Sequence, residues 1–115
     1  MEKKSSINWS DFEKIDLRVG TILEVRDFPE ARNPAYQLHI DFGGEIGILK
    51  SSAQITKRYS KEDLLNRQIV AIVNFPKKQI GKFMSECLVL GVVGNDKEVT
   101  LLAPGKTVEN GLAIG

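Results

Sequence analysis

Within Ser60-Lys-Glu-Asp-Leu-Leu-Asn-Arg-Gln-Ile-Val-Ala-Ile-Val-Asn74 a helix start runs directly into a buried strand. Ser60 and Asp63 have the spacing of a capping box and open a short helix through Leu64 and Leu65. Gln68 to Asn74 is a nearly continuous apolar run, which fits a strand buried on both faces. Upstream, Leu17, Val19, Thr21, Leu23 and Val25 alternate with Arg18, Gly20, Glu24 and Arg26, interrupted by Ile22. Phe28-Pro29 ends that strand. Tyr36, Leu38, Ile40 and Phe42 share one side of the next, with Gln37, His39 and Asp41 on the other. Gly43-Gly44 signals a hairpin turn, and Ile46 and Ile48 begin the return strand. Downstream, Cys87–Val93 and Val99–Leu102 pair around Gly94-Asn-Asp-Lys97, and Pro104-Gly105 is a turn before the tail Gly111–Gly115. Residues 1–9 read as a frayed arm, and Ser10 as the cap of a short helical turn reaching Lys14.

Three strands, a helix, then two strands in about a hundred residues fit an all-β fold. The expected architecture is a five-stranded Greek-key barrel of the oligonucleotide/oligosaccharide-binding type, with a short helix between strands 3 and 4 and short terminal extensions. A small SH3-like barrel competes, but it usually lacks the inserted helix. The 115 residues suit one domain, 1–115, with residues 1–9 as a flexible or dimer-contact arm.

Composition narrows the function. The chain is 42% apolar and 27% charged, as in an ordinary globular protein, and no apolar run approaches the ~20 residues of a membrane span. The polar start, with no apolar segment behind it, leads to the expectation of no signal peptide. One cysteine and one histidine make neither an internal disulfide nor a Cys/His zinc site, so a cytoplasmic, reduced, metal-free protein is expected. His39 falls on the polar face of its strand, and Cys87 reads as a small core residue. Asp16, Glu24 and Asp41 are isolated carboxylates without a paired acid and base. Gly43-Gly44 and Gly91-Val-Val-Gly94 lack the phosphate-loop pattern. The expectation is a non-enzyme with no catalytic residues and no cofactor.

The net charge of +1 conceals an asymmetry. Residues 50–82 carry eight Lys/Arg against two Asp/Glu, whereas the flanking thirds are acidic. Such a block can steer an anionic partner if its ammonium groups converge on one side of the barrel; the alternative is a solvated basic face. The densest part is Asn74-Phe-Pro-Lys-Lys-Gln-Ile-Gly-Lys-Phe-Met-Ser85, read as a loop entering an apolar strand. Lys77, Lys78 and Lys82 supply point charges for phosphates, and Asn74, Gln79 and Ser85 supply uncharged hydrogen-bonding groups. Lys50, Ser51, Ser52 and Gln54 follow the third strand. They form either a polar platform for phosphate, sugar and base edges or a turn bonded to its own backbone. Phe75 and Phe83 flank the loop; with Met84 they are candidates to stack on bases or grip an apolar peptide, and at least one of the two rings is expected to pack at the barrel end. Trp9 and Phe12 read as a subunit contact or a core lid.

These motifs together resemble a known family. Phe12-Glu-Lys-Ile-Asp-Leu-Arg-Val-Gly20 resembles the opening of the tRNA-binding domain that is appended to some aminoacyl-tRNA synthetases and also stands alone in bacteria. Phe28-Pro-Glu-Ala-Arg-Asn-Pro-Ala-Tyr36, Ile40-Asp-Phe-Gly43, Lys50-Ser-Ser-Ala-Gln-Ile-Thr56 and Asn74-Phe-Pro-Lys-Lys-Gln-Ile-Gly81 are similar to the CsaA group, small chaperone-like proteins associated with bacterial protein export. The resemblance implies an oligonucleotide-binding barrel and a homodimer joined through terminal segments, with Trp9 and Phe12 at the contact. It also implies binding of tRNA or other structured RNA, and of unfolded preproteins, rather than catalysis. The alternative it leaves open is a stand-alone tRNA-binding protein without a chaperone role. Between Asn and Ser the tRNA-binding domains carry Lys-x-Arg-Gly; where Lys-x-Arg would fall this chain has Gln79-Ile-Gly81, with its lysines displaced to 77, 78 and 82.

Overall fold

The computed structural model describes residues 2–115. In chain order the elements are α1 (Trp9–Glu13), β1 (Leu17–Asp27), β2 (Tyr36–Asp41), β3 (Ile48–Ala53), α2 (Lys61–Leu64), β4 (Gln68–Ile72), β5 (Lys78–Ile80), β6 (Phe83–Ser85), β7 (Leu88–Val89), β8 (Gly91–Val93) and β9 (Val99–Leu101). Five of them form an antiparallel sheet in the order β3-β2-β1-β4-β7. The sheet curls until β3 meets the chain entering β7. There the Glu86 N–H donates to the Lys50 carbonyl at 2.7 Å, and the Ser52 N–H donates to Ser85 Oγ at 3.1 Å. Side-chain acceptors take over part of the ladder, so β3 does not present a bare edge and the barrel is nearly closed. This all-β barrel with only short helices is consistent with the oligonucleotide-binding type that the sequence predicts.

β1 is the central strand because it is long enough to serve two partners. Its first half, Leu17–Thr21, pairs with β4, and its second half pairs with β2. A bulge between Ile22 and Glu24 separates the halves. An extra residue shifts the phase of side chains along a strand. Ile22 therefore points into the core, fully buried, while Leu23 is extruded to 42% exposure. The sequence pattern had these two reversed. The first half of β1 also receives the tail on its other edge: the Gly111 N–H donates to Val19 O, and Val19 and Ile114 donate to Leu112 O and Leu17 O. Gly111 has φ +91, and a Cβ there would meet the Phe42 carbonyl at 2.5 Å, so only glycine fits the turn that brings the tail in.

The core is filled by Ile22, Leu38, Ile40, Phe42, Leu64 and Ile69, all essentially inaccessible. Each such side chain contributes about 1.5–3 kcal/mol through burial. The regular alternation read in β2 places Leu38, Ile40 and Phe42 inward, and β4 is buried on both faces, as its apolar run implies. The capping box forms: Ser60 Oγ accepts from the Asp63 N–H at 3.2 Å, and Asp63 Oδ2 accepts from the Ser60 N–H at 2.9 Å. It orients a single helical turn whose Leu64 plugs the core. The turn ends there, one residue earlier than the sequence suggests.

Three local expectations are corrected. Residue Asn8, not Ser10, caps α1, with its N–H donating to Asp11 Oδ2 at 3.0 Å. Ile46 lies in the turn before β3, and Ile48 faces outward because Leu49, Ser51 and Ala53 hold the inward register. The lysine-rich segment is no loop but an antiparallel hairpin, β5–β6, turned at Gly81, whose φ is +60. Residues 2–8 carry no regular structure and are exposed; Met1, the start of the expected arm, lies outside the described residues.

Candidate functional site

The β5–β6 hairpin is anchored to the barrel by one ring. Phe83 packs with Phe28 and Ala35 in a small cluster of its own, and the Lys50 ammonium lies 5.2 Å from the Phe83 ring centroid. Phe28 and Ala35 bound the loop between β1 and β2. The hairpin is thus fixed to that loop, and Phe83, at 8% exposure, packs against the barrel. Phe75, by contrast, is half exposed at the hairpin's base. Of the two flanking rings, burial selects Phe75 as the one a ligand can reach.

The hairpin borders two hollows. The larger, of about 610 Å³, runs between the end of β3, the hairpin and β7. Ile55, Ile80, Cys87 and Val89 give it an apolar floor, with Phe75, Lys78, Gln54 and Ser52 at its margins. The smaller, of about 420 Å³, lies between Glu30, Gln37, Lys82 and Phe83. Lys78 and Lys82 therefore serve different hollows. Neither takes part in an ion pair among the described residues.

The remaining candidates divide by geometry. Ser51 is buried at 1% exposure, and its hydroxyl donates to the Cys87 carbonyl at 3.0 Å. It closes the barrel and cannot form part of a surface platform. Asn74 is a clamp: its Oδ1 accepts from the Asp16 N–H at 2.9 Å and its Nδ2 donates to Lys14 O at 2.8 Å. Ser85 accepts the Ser52 N–H and lines the larger hollow. Gln79 donates to the Gly81 carbonyl at 3.1 Å and pairs with Met84, which is partly buried. Lys77 is held by Glu86 at 3.4 Å, and that carboxylate also accepts the Lys50 N–H at 2.9 Å.

The eight basic residues of the central block do not all converge. Lys50, Lys77, Lys78 and Lys82 lie on or against the hairpin. Lys61 pairs with Asp27 at 3.0 Å, and Arg67 donates to Asp63 O and lies over the Tyr59 ring. Lys61 opens α2 and Arg67 follows it, away from the hairpin. Sequence reasoning missed Glu86, whose partly buried carboxylate neutralises one of the three loop lysines. It also missed the groove floor, since Ile80 read as part of a loop and Leu88 and Val89 simply as strand residues. Cys87 lies in that floor with its thiol pushed up to about 12, chiefly by desolvation, so it is not a thiolate at neutral pH. Trp9 is 83% exposed, α1 buries no residue, and Ile7, Trp9 and Phe12 edge a further apolar hollow. No helix of the described residues is long and apolar enough to cross a membrane.

A nearly closed β-barrel with a basic hairpin over an apolar groove defines a binding module. The chain belongs to the family described as "Putative tRNA binding domain", which matches residues 17–113. Crystal structures of two chaperones superpose on it. CsaA from Bacillus anthracis is 51% identical with a TM-score of 0.91, and CsaA from Picrophilus torridus is 54% identical with a TM-score of 0.90. Each covers 96% of this chain and is itself covered completely. The methionine–tRNA ligase of Pyrococcus furiosus is 37% identical over 113 residues, which is 98% of this chain and 15% of the ligase. The chain thus spans about 15% of the length of that relative.

Proposed function

We propose that this protein is a non-enzymatic, cytoplasmic chaperone that holds unfolded, export-bound preproteins and also binds tRNA. The observation that carries the reading is the 610 Å³ groove, which joins an apolar floor and a half-exposed Phe75 to the unpaired Lys78. An unfolded segment can place apolar side chains on that floor, and an unpaired base can stack on the same ring. Lys78 and Lys82 attract phosphate in either hollow without reading sequence. The likeness to the two CsaA chaperones and membership of a tRNA-binding family support both halves of the reading.

The working unit in this reading is a homodimer. α1 has no buried residue in the single chain, so Trp9 and Phe12 are offered to a second copy. Two barrels let one RNA engage two patches, which raises avidity without new contacts.

The test is competition. A denatured preprotein kept from aggregating by the protein should be displaced by tRNA, and tRNA binding should weaken steeply as salt is raised. Failure to suppress aggregation of any client removes the chaperone half and leaves a stand-alone tRNA-binding protein. Salt-insensitive association removes the RNA half.

A further inference from the structure

A further hollow of about 280 Å³ adjoins the groove, lined by Asn33, Pro34, Gln54, Thr56, Lys57 and Lys97. Gln54 is common to both linings, so the two cavities adjoin across one side chain. We propose that this basin is a phosphate subsite, and that an unpaired nucleotide of RNA binds with its base in the groove against Phe75 and its phosphate between Lys57 and Lys97. The inference rests on the RNA-binding reading above and deepens it.

The charges carry the argument. Three separate loops bring the lining together: the segment between β1 and β2, the chain leaving β3, and the turn between β8 and β9. No carboxylate lines the basin. Lys57 Nζ donates to the main-chain carbonyl of Asp96 at 2.5 Å, a neutral acceptor, and Lys97 has no ion pair among the described residues. The nearby Glu98 carboxylate turns back into its own loop, accepting from the Asp96 N–H at 2.9 Å. Two lysines thus line the hollow, one resting on a main-chain carbonyl and neither ion-paired among the described residues. The amides of Asn33 and Gln54 and the Thr56 hydroxyl add groups suited to phosphate oxygens and a ribose 2′-hydroxyl. A peptide offers such a basin charge only where an acidic side chain falls, whereas every nucleotide offers one. That asymmetry favours RNA over a polypeptide as occupant.

The experiment follows binding of a labelled single-stranded oligoribonucleotide across a series of salt concentrations. It compares the wild type with Lys57→Gln alone and with the double variant Lys57→Gln/Lys97→Gln. Glutamine keeps an unbranched side chain at Lys97, whose φ is +64. Each phosphate contact on a single strand contributes a slope of about −0.7 in log K against log salt. The double variant is expected to lose about 0.7 of that slope and about tenfold in affinity at low salt, with an unchanged thermal midpoint. A strand carrying one neutral methylphosphonate linkage should lose more affinity for the wild type than for the double variant, in which only the phosphate contacts outside the basin remain. Unchanged slope and affinity in the double variant overturn the subsite while leaving RNA binding intact. A wild type that binds no RNA overturns both readings. If the variants lose binding of a denatured polypeptide and keep that of RNA, the basin serves acidic peptides and the assignment falls.

Discussion

Phe28 and Phe83 meet with ring centroids 5.3 Å apart and planes inclined by 57°. This one contact ties the loop after β1 to the basic hairpin across 55 positions of sequence, and it holds Lys78 and Lys82 at the mouths of their two hollows. Tilted aromatic pairs contribute about 0.5–1.5 kcal/mol beyond their burial. Phe83→Ala should therefore cost about 3 kcal/mol, measured as a shift of the urea midpoint. Amides of the hairpin should lose hydrogen-exchange protection before those of β1 and β4. Phe75→Ala, at an exposed ring, should change stability by less than about 0.5 kcal/mol while weakening RNA and client binding alike. Equal destabilisation by the two substitutions would contradict the division of roles between them.

The contrast between these two phenylalanines shows where sequence reading stops. Both flank the same cluster of lysines, and nothing local distinguishes them. Phe83 is buried because Phe28 and Ala35 arrive from a distant loop. Ser51 is similar: its hydroxyl looks available until barrel closure brings the Cys87 carbonyl to it, 36 residues away. β2 was legible because one face is buried throughout, so its period survives; β1 was not, because the bulge at Leu23 breaks the period. The capping box at Ser60 was legible because it is made within four residues.

Glu86 sets how much charge the hairpin presents. Its carboxylate holds Lys77 at 3.4 Å, an arrangement that leaves Lys78 as the free ammonium on the larger groove. Lys78→Ala should weaken RNA binding more than Lys77→Ala. Glu86→Gln keeps an oxygen for the Lys50 N–H and releases Lys77. It should raise RNA affinity about threefold and steepen its salt dependence, because one more ammonium becomes available for counterion exchange. Titrations of labelled tRNA at two ionic strengths measure both effects. An affinity lowered by Glu86→Gln would show that the carboxylate itself contacts the ligand.

Cys87 carries a pH signature. Burial raises its folded pKa to about 12 from an ordinary value of 9.0. Above pH 9 the unfolded chain releases this proton while the native chain retains it, so the native state binds more protons and stability falls as pH rises. The decline should amount to about 1.4 kcal/mol per pH unit between 9 and 12 and be absent from Cys87→Ala. Comparing urea midpoints of the two proteins along that range isolates the contribution of the thiol. The same burial predicts slow thiol labelling of the native protein at pH 8, accelerating with denaturant. Rapid labelling in native buffer would mean that the groove floor opens.

Trp9 is the single tryptophan of the chain and stands 83% exposed on a helix that buries nothing. Its emission therefore reports the proposed subunit contact with no competing signal. If α1 docks against a second copy, emission should shift to shorter wavelength as concentration rises, because the indole leaves water for an apolar contact. Trp9→Ser should weaken association by about tenfold or more, read by sedimentation, since large aromatic anchors dominate interface energies. The substitution touches no core residue, so the thermal midpoint at high dilution should be unchanged. RNA affinity should fall as well, because one ligand can no longer span two barrels. Emission independent of concentration, together with sedimentation as a single chain at every concentration, would place the dimer contact away from α1 or abolish it.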